Sequence, residues 1–157
     1  MDKVIRWGMI GCGSVTEIKS GPAFNKVPYS KLYGVMCRNE ARLKDYASRH
    51  AVPYHTTDAD ALINHPSIDA IYIATPPKYH EAYAIAAMKA GKHVYVEKPM
   101  GLNVKACLNM LAASKSLNAK LVVAHYRRQL PMFLHIKKLL QENVIGKVLS
   151  VNIVMHK

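Results

Sequence analysis

Three groups of residues in this sequence have types and spacings that suit chemistry. Gly11-Cys12-Gly13-Ser14-Val15-Thr16 follows an apolar run and leads into a segment of helical character. Gly11 lets the chain turn tightly, and Gly13 lets the backbone approach a bulky anion. A pyrophosphate can then sit on the free N–H groups at the helix start. These six residues are the candidates for holding it. Thr16 stands where a third Gly or Ala is usual, so the helix either stands slightly away from the strand or packs a hydroxyl there. The second group is Met36-Cys37-Arg38-Asn39, about 20 residues further on, where NAD binders carry an Asp or Glu for the ribose 2′-hydroxyl. No carboxylate is present there. The planar fork of Arg38 pairs well with a phosphate, which favours NADP over NAD. The third group closes two later apolar runs: Ala74-Thr75-Pro76-Pro77 with His80, and Glu97-Lys98-Pro99.

These residues need elements to hold them, and apolar runs of strand length alternate with stretches of helical period. Strands are predicted at Val4–Ile10, Lys31–Cys37, Asp69–Ala74, His93–Glu97 and Lys120–His125, with a short extended piece at Val52–His55. Between them, a short helix starts near Val15 and should be interrupted at Ser20-Gly21-Pro22, where the proline removes a donor. Further helices are expected at Glu40–Arg49 behind Asn39 as N-cap, at Asp58–Asn64, and at Lys78–Ala90 with Gly91 as C-cap. Behind Asn103, Val104, Cys107, Leu108, Leu111 and Ala112 fall on one helical face, which predicts the buried stripe. A last helix runs through Met132, Phe133, Ile136, Leu139 and Leu140. Leu149, Val151, Ile153 and Met155 then alternate with Ser150, Asn152, Val154 and His156, the period of a half-buried strand that needs a sheet. The fold class expected is α/β, a doubly wound parallel sheet with helices on both faces.

Composition narrows the partners. The 157 residues are 50% hydrophobic, enough for a domain that buries roughly 68–70% of its unfolded surface, and this excludes general disorder. No run approaches the ~20 apolar residues of a membrane span, and the start lacks the apolar run of a signal peptide, so a cytoplasmic protein without membrane contact is expected. Cys12, Cys37 and Cys107 are widely spaced with no Cys-x-x-Cys pair, which suits reduced thiols. The 8 His residues show no ligand spacing, so no metal is expected. Of the formal net charge of +12, +8 falls after residue 99. Lys137-Lys138 and Lys147 there read as a solvated face without a nucleic-acid motif, and no nucleic-acid partner is expected. Tyr79 and Tyr83, four apart, read as helix packing.

Taken together, Gly11-Cys12-Gly13, Ala74-Thr75-Pro76-Pro77 with His80, and Glu97-Lys98-Pro99 resemble the Gfo/Idh/MocA family of NAD(P)-dependent oxidoreductases. The resemblance implies a Rossmann NAD(P)-binding domain, here residues 1–125, followed by an α+β substrate domain. Residues 126–157 would be its incomplete start, one helix and one strand of a truncated chain that alone is inactive. It also implies that Lys98 is the catalytic residue, beside the nicotinamide and the reacting carbon, and that Glu97 lies near the nicotinamide ribose. Thr75 and Pro76 would line the cofactor cleft, His80 would cap it, and His125-Tyr126-Arg127-Arg128 would lie near cofactor or substrate. A sugar, polyol or related hydroxy/oxo compound is the implied substrate, and a homo-oligomer the implied assembly of the full-length protein. Hydride transfer to or from such an alcohol needs a group that handles the hydroxyl proton. A carboxylate neighbour such as Glu97 stabilises an ammonium, so Lys98 suits the part of cationic donor and general acid better than that of an unaided base. The alternative is a non-catalytic NAD(P)-binding sensor of the same fold.

Overall fold

The structure, a computed structural model, describes residues 3–154. The chain divides into two compact units, Met1–Ala124 and His125–Lys157. The first holds six strands, β1 (Ile5–Ile10), β2 (Ser30–Met36), β3 (Tyr54–Thr56), β4 (Ala70–Ile73), β5 (His93–Val96) and β6 (Leu121–Val123). All neighbours pair in parallel, in the order β3-β2-β1-β4-β5-β6. The order reverses between β1 and β4, and that reversal opens a crevice at the C-terminal ends of these strands.

The strands are apolar throughout because both faces are covered. Successive residues point to opposite faces. Thus Ile10, Met36, Ile71 and Ile73 enter one apolar cluster, whereas their neighbours Met9, Val35 and Tyr72 enter the other. The first cluster is closed by α3 (Ala59–Ile63), α4 (His80–Lys89) and α5 (Val104–Ser116), the second by α1 (Gly21–Phe24) and α2 (Glu40–Arg49). The doubly wound parallel sheet expected from the sequence is the fold observed. Asn39 and Asn103 cap as expected, each side chain accepting a 2.9 Å bond from the N–H of Arg42 and Ala106, respectively.

Three local expectations are corrected. The helix after the glycine loop does not break at Ser20-Gly21-Pro22; residues 14–24 stay helical by widening into a π turn at Thr16–Ser20. There the Gly21 N–H donates to the Thr16 carbonyl, and the wider turn accommodates the donor that Pro22 lacks. A Cβ on Gly21 would meet that carbonyl and the Tyr46 hydroxyl.

On α5 the stripe predicted to be buried faces outward, with Val104, Leu108 and Leu111 exposed. The helix instead buries Ala106 and Met110, and Met110 joins the first apolar cluster. Its small residues allow a close approach to the alanine-rich α4, so packing decided between two faces that the pattern alone did not rank.

In the second unit, a 3₁₀ turn (Tyr126–Gln129) leads to α6 (Pro131–Gln141), none of whose residues is buried. The strand expected at Leu149–Met155 is not formed over residues 149–154; Met155 lies outside the described residues. A strand exists only through backbone pairing with a neighbour, and no strand among the described residues pairs with this segment.

Candidate functional site

The glycine loop is wedged between the ends of β2 and β4. The Gly11 N–H donates to the Met36 carbonyl at 2.8 Å, and a Cβ on Gly11 would stand 2.6 Å from the Ala74 carbonyl oxygen. With φ of +112°, only glycine takes this position without strain. A Cβ on Gly13, by contrast, would meet nothing within 4 Å, so the loop presents bare backbone to open space. Thr16 is buried, and its hydroxyl donates to the Gly13 carbonyl at 2.7 Å. Of the two arrangements considered for Thr16, the structure has the packed hydroxyl, and it ties the loop to the helix.

This loop forms one wall of a pocket that Gly11, Cys12, Gly13, Arg38, Thr75 and Pro76 all line. Ser14, Val15, Thr16, His80, Glu97 and Lys98 are not among its lining residues. Pattern reading missed Arg42, Tyr79 and Tyr83, which do line it. The two tyrosines therefore face a pocket as well as each other, with ring centroids 6.3 Å apart. The Arg38 guanidinium lies over the Tyr79 ring at 5.3 Å, and the Lys78 ammonium over the same ring at 4.9 Å. Lys78 and then Arg38, beside the Tyr79 hydroxyl, hold it below the usual phenol range. Among the described residues, two guanidinium side chains and no Asp or Glu line the pocket, which makes it electropositive.

Thr75 contributes a second observation. Its hydroxyl oxygen is buried without a hydrogen-bond partner among the described residues, which leaves a polar atom at the pocket unsatisfied. A ligand with polar groups on that side would satisfy it. Bare glycine backbone, guanidinium groups and an orphaned hydroxyl together fit a phosphate-bearing dinucleotide.

Glu97 and Lys98 follow β5 on the same sheet edge. The Glu97 N–H donates to the Ile73 carbonyl at 3.0 Å, which fixes the start of the turn. One Glu97 carboxylate oxygen accepts a 2.7 Å bond from the Tyr72 hydroxyl; the other accepts the Lys98 backbone N–H at 3.2 Å. Tyr72 is wholly buried and also lies 3.0 Å from the Ser20 hydroxyl. Burial pushes the Tyr72 phenol up, so it stays a proton donor. Lys98 is exposed.

His80 stands behind the cleft rather than over it. It is fully buried, with its ring nitrogens 2.7 Å from the Thr75 carbonyl oxygen and 3.0 Å from that of Pro99. It links the loop after β4 to the turn that carries Lys98. His125, Tyr126, Arg127 and Arg128 belong to the other unit. Among the described residues, no group of three or more His, Cys, Asp or Glu is placed to hold a metal ion, and no helix is long and apolar enough to cross a membrane.

An all-parallel sheet with this strand order, carrying a glycine loop and an electropositive pocket where the order reverses, defines a dinucleotide-binding Rossmann domain. The chain belongs to the Gfo/Idh/MocA family, described as an oxidoreductase family with an NAD-binding Rossmann fold, which matches residues 5–125. It is 53% identical to Oxidoreductase P35 of Formosa agariphila over 98% of this chain and 48% of that protein. Among solved structures, it resembles scyllo-inositol dehydrogenase from Lactobacillus casei with bound NAD(H) and scyllo-inositol. The TM-score is 0.85 and the identity 28%, over 92% of this chain and 43% of that one. A 3-ketoreductase from Actinomadura kijaniata in complex with NADP is also similar, with TM-score 0.84 and 26% identity, over 91% of this chain and 44% of that one. The chain thus spans just under half the length of the relatives it matches.

Proposed function

We propose that this chain is the cofactor-binding portion of an NADP-preferring oxidoreductase that interconverts alcohol and carbonyl groups on a sugar, polyol or related hydroxy/oxo compound. The observation that carries this reading is the sheet order. It sets the Glu97-Lys98 turn after β5 on the same edge as the glycine loop after β1, with only β4 between them. When bound, NADP supplies the hydride acceptor or donor. The chain's own residues bind and orient it. Gly13 leaves backbone free for the pyrophosphate, Gly11 makes the turn that presents it, and Cys12, Ser14 and Val15 continue the loop into the helix, which Thr16 anchors. The Thr75 hydroxyl takes up a polar group of the cofactor, and Pro76 walls the cleft. Arg38 and Arg42 hold the 2′-phosphate.

On the other side of the crevice, Glu97, fixed by Tyr72, accepts from the nicotinamide ribose, and Lys98 holds or delivers the hydroxyl proton of the substrate. Substrate class follows the relatives: one solved neighbour holds scyllo-inositol, and another is a 3-ketoreductase. The test is cofactor reduction by the full-length gene product, followed in the near-ultraviolet band of the reduced nicotinamide, against a panel of polyols and sugars. Substrate-dependent reduction is expected, faster with NADP than with NAD. Cofactor binding without turnover on any member of the panel would overturn the enzyme reading in favour of a sensor.

A further inference from the structure

Two thiols at the pocket have no part in the function proposed above. Cys12 belongs to the glycine loop and Cys37 follows β2, and both line the pocket. The parallel register pairs Ile10 with Met36 and so brings the two strand ends together. The Cys12 sulfur lies 4.0 Å from the carbonyl oxygen of Met36, the residue before Cys37, and Cys37 packs against the apolar cluster to which Cys12 belongs. Continued by one residue, that register sets Gly11 level with Cys37 and Cys12 just beyond it, across a strand spacing of about 4.8 Å. Cys12 is only 4% exposed, whereas Cys37 is half-buried, so a small reagent entering the pocket reaches Cys37 first. The third cysteine, Cys107, sits apart on α5, against the position of Gly101.

We propose that Cys12 and Cys37 form a dithiol modification site, oxidised by a peroxide to a disulfide across the wall of the pocket, and that this oxidation and cofactor binding exclude one another. In the first step the Cys37 sulfur attacks a peroxide oxygen. An S–O bond forms, the O–O bond breaks, and water leaves with the Cys37 proton, which gives the sulfenic acid. In the second, the Cys12 sulfur attacks the Cys37 sulfur; the S–S bond forms, the S–O bond breaks, and a second water leaves with the Cys12 proton. Two thiols have lost two electrons and two protons, and hydrogen peroxide has become two waters.

The environment fits this order of events. Burial, with the charge and hydrogen bond of Cys37 adding to it, pushes the Cys12 thiol up to about 12, so Cys12 is a poor first nucleophile. A bound cofactor occupies the space through which peroxide enters, and a disulfide joins the glycine loop to the strand that carries Arg38.

The exclusion rests on the cofactor reading; the disulfide does not, and the experiment separates them. A Cys107→Ser background of the full-length gene product is treated with hydrogen peroxide, alkylated, digested and analysed by mass spectrometry. A peptide pair joined through Cys12 and Cys37 is expected, two hydrogens lighter, reversed by dithiothreitol and absent in Cys37→Ser, whose altered side chain is partly exposed. Prior NADP is expected to slow the cross-link at least about tenfold, and the cross-linked protein to bind NADP at least about tenfold more weakly. Alkylation of both cysteines after peroxide, or Cys37 passing only to the sulfinic acid, would sink the dithiol. A cross-link that forms equally fast with NADP and leaves affinity unchanged would sink the exclusion. If the reduced protein binds neither NADP nor NAD, the cofactor reading fails while the cross-link result stands.

Discussion

The two sides of the crevice stand on one sheet edge but are built differently. On the β1–β2 side, the chain offers bare backbone at Gly13, behind the tight turn at Gly11, and two exposed guanidinium groups, Arg38 and Arg42. On the β4–β5 side, it offers side chains locked from beneath: Glu97 by the buried Tyr72 hydroxyl, and the Thr75 and Pro99 loops by the buried His80. Backbone and exposed charge suit recognition of a phosphate, which tolerates small displacements. A proton or hydride moves only between groups held within a few tenths of an ångström, and that calls for a rigid support. In the function proposed, this difference would divide the labour, with affinity and cofactor choice on one side and rate on the other.

The division breaks if a change on one side moves the other side's readout. The largest effect is expected for Lys98→Ala in the full-length gene product. Its kcat should fall by about 10²–10⁴-fold with cofactor Kd within about threefold, measured by steady-state kinetics and titration. A weakened Kd with kcat intact would place Lys98 on the recognition side. A smaller loss is expected for Tyr72→Phe, which removes the donor to Glu97 and keeps the ring. It should lower kcat about tenfold and stability by about 1–2 kcal/mol, with NADP affinity held; urea unfolding and kinetics check both.

The smallest effect tests the support of the glycine-loop helix. Hydrogen bonds from Arg49, then His50, hold the Glu17 carboxyl at about 2, below its usual 4.5. A lowered folded-state value means that the contribution is present above the usual value and is lost as pH falls from there toward about 2. Because the partners are partly exposed, Glu17→Gln should cost below about 1 kcal/mol at neutral pH. The gap between wild type and variant should close in acid melts. A gap that widens in acid would contradict the pairing.

Much of this was legible in the residues, for physical reasons. Strands such as Ala70–Ile73, buried on both faces, are continuous apolar runs that no solvated segment imitates. Gly11 was legible because its positive φ admits little else. Arg38 was legible through the carboxylate missing at its strand end. Arg42 and Tyr83 were not, because a helical residue that lines a pocket has the same periodicity as one that meets water or a neighbour. The α5 stripe misled because apolar Val104, Leu108 and Leu111 outranked alanines in hydropathy but not in closeness of packing. For His80, the resemblance implied a place over the cleft, and its position after β4 did not disclose the two carbonyls its ring meets.

If the β1–β2 side selects a 2′-phosphorylated dinucleotide through Arg38, calorimetric titration of NADP and NAD against wild type and Arg38→Ala will show it. A charge-assisted contact worth about 1.5–3 kcal/mol corresponds to NADP binding about 10–100-fold tighter than NAD in the wild type. Arg38→Ala should remove most of that preference and leave NAD affinity unchanged. NAD binding at least as tightly as NADP to the wild type, or equal weakening of both by the substitution, would contradict it.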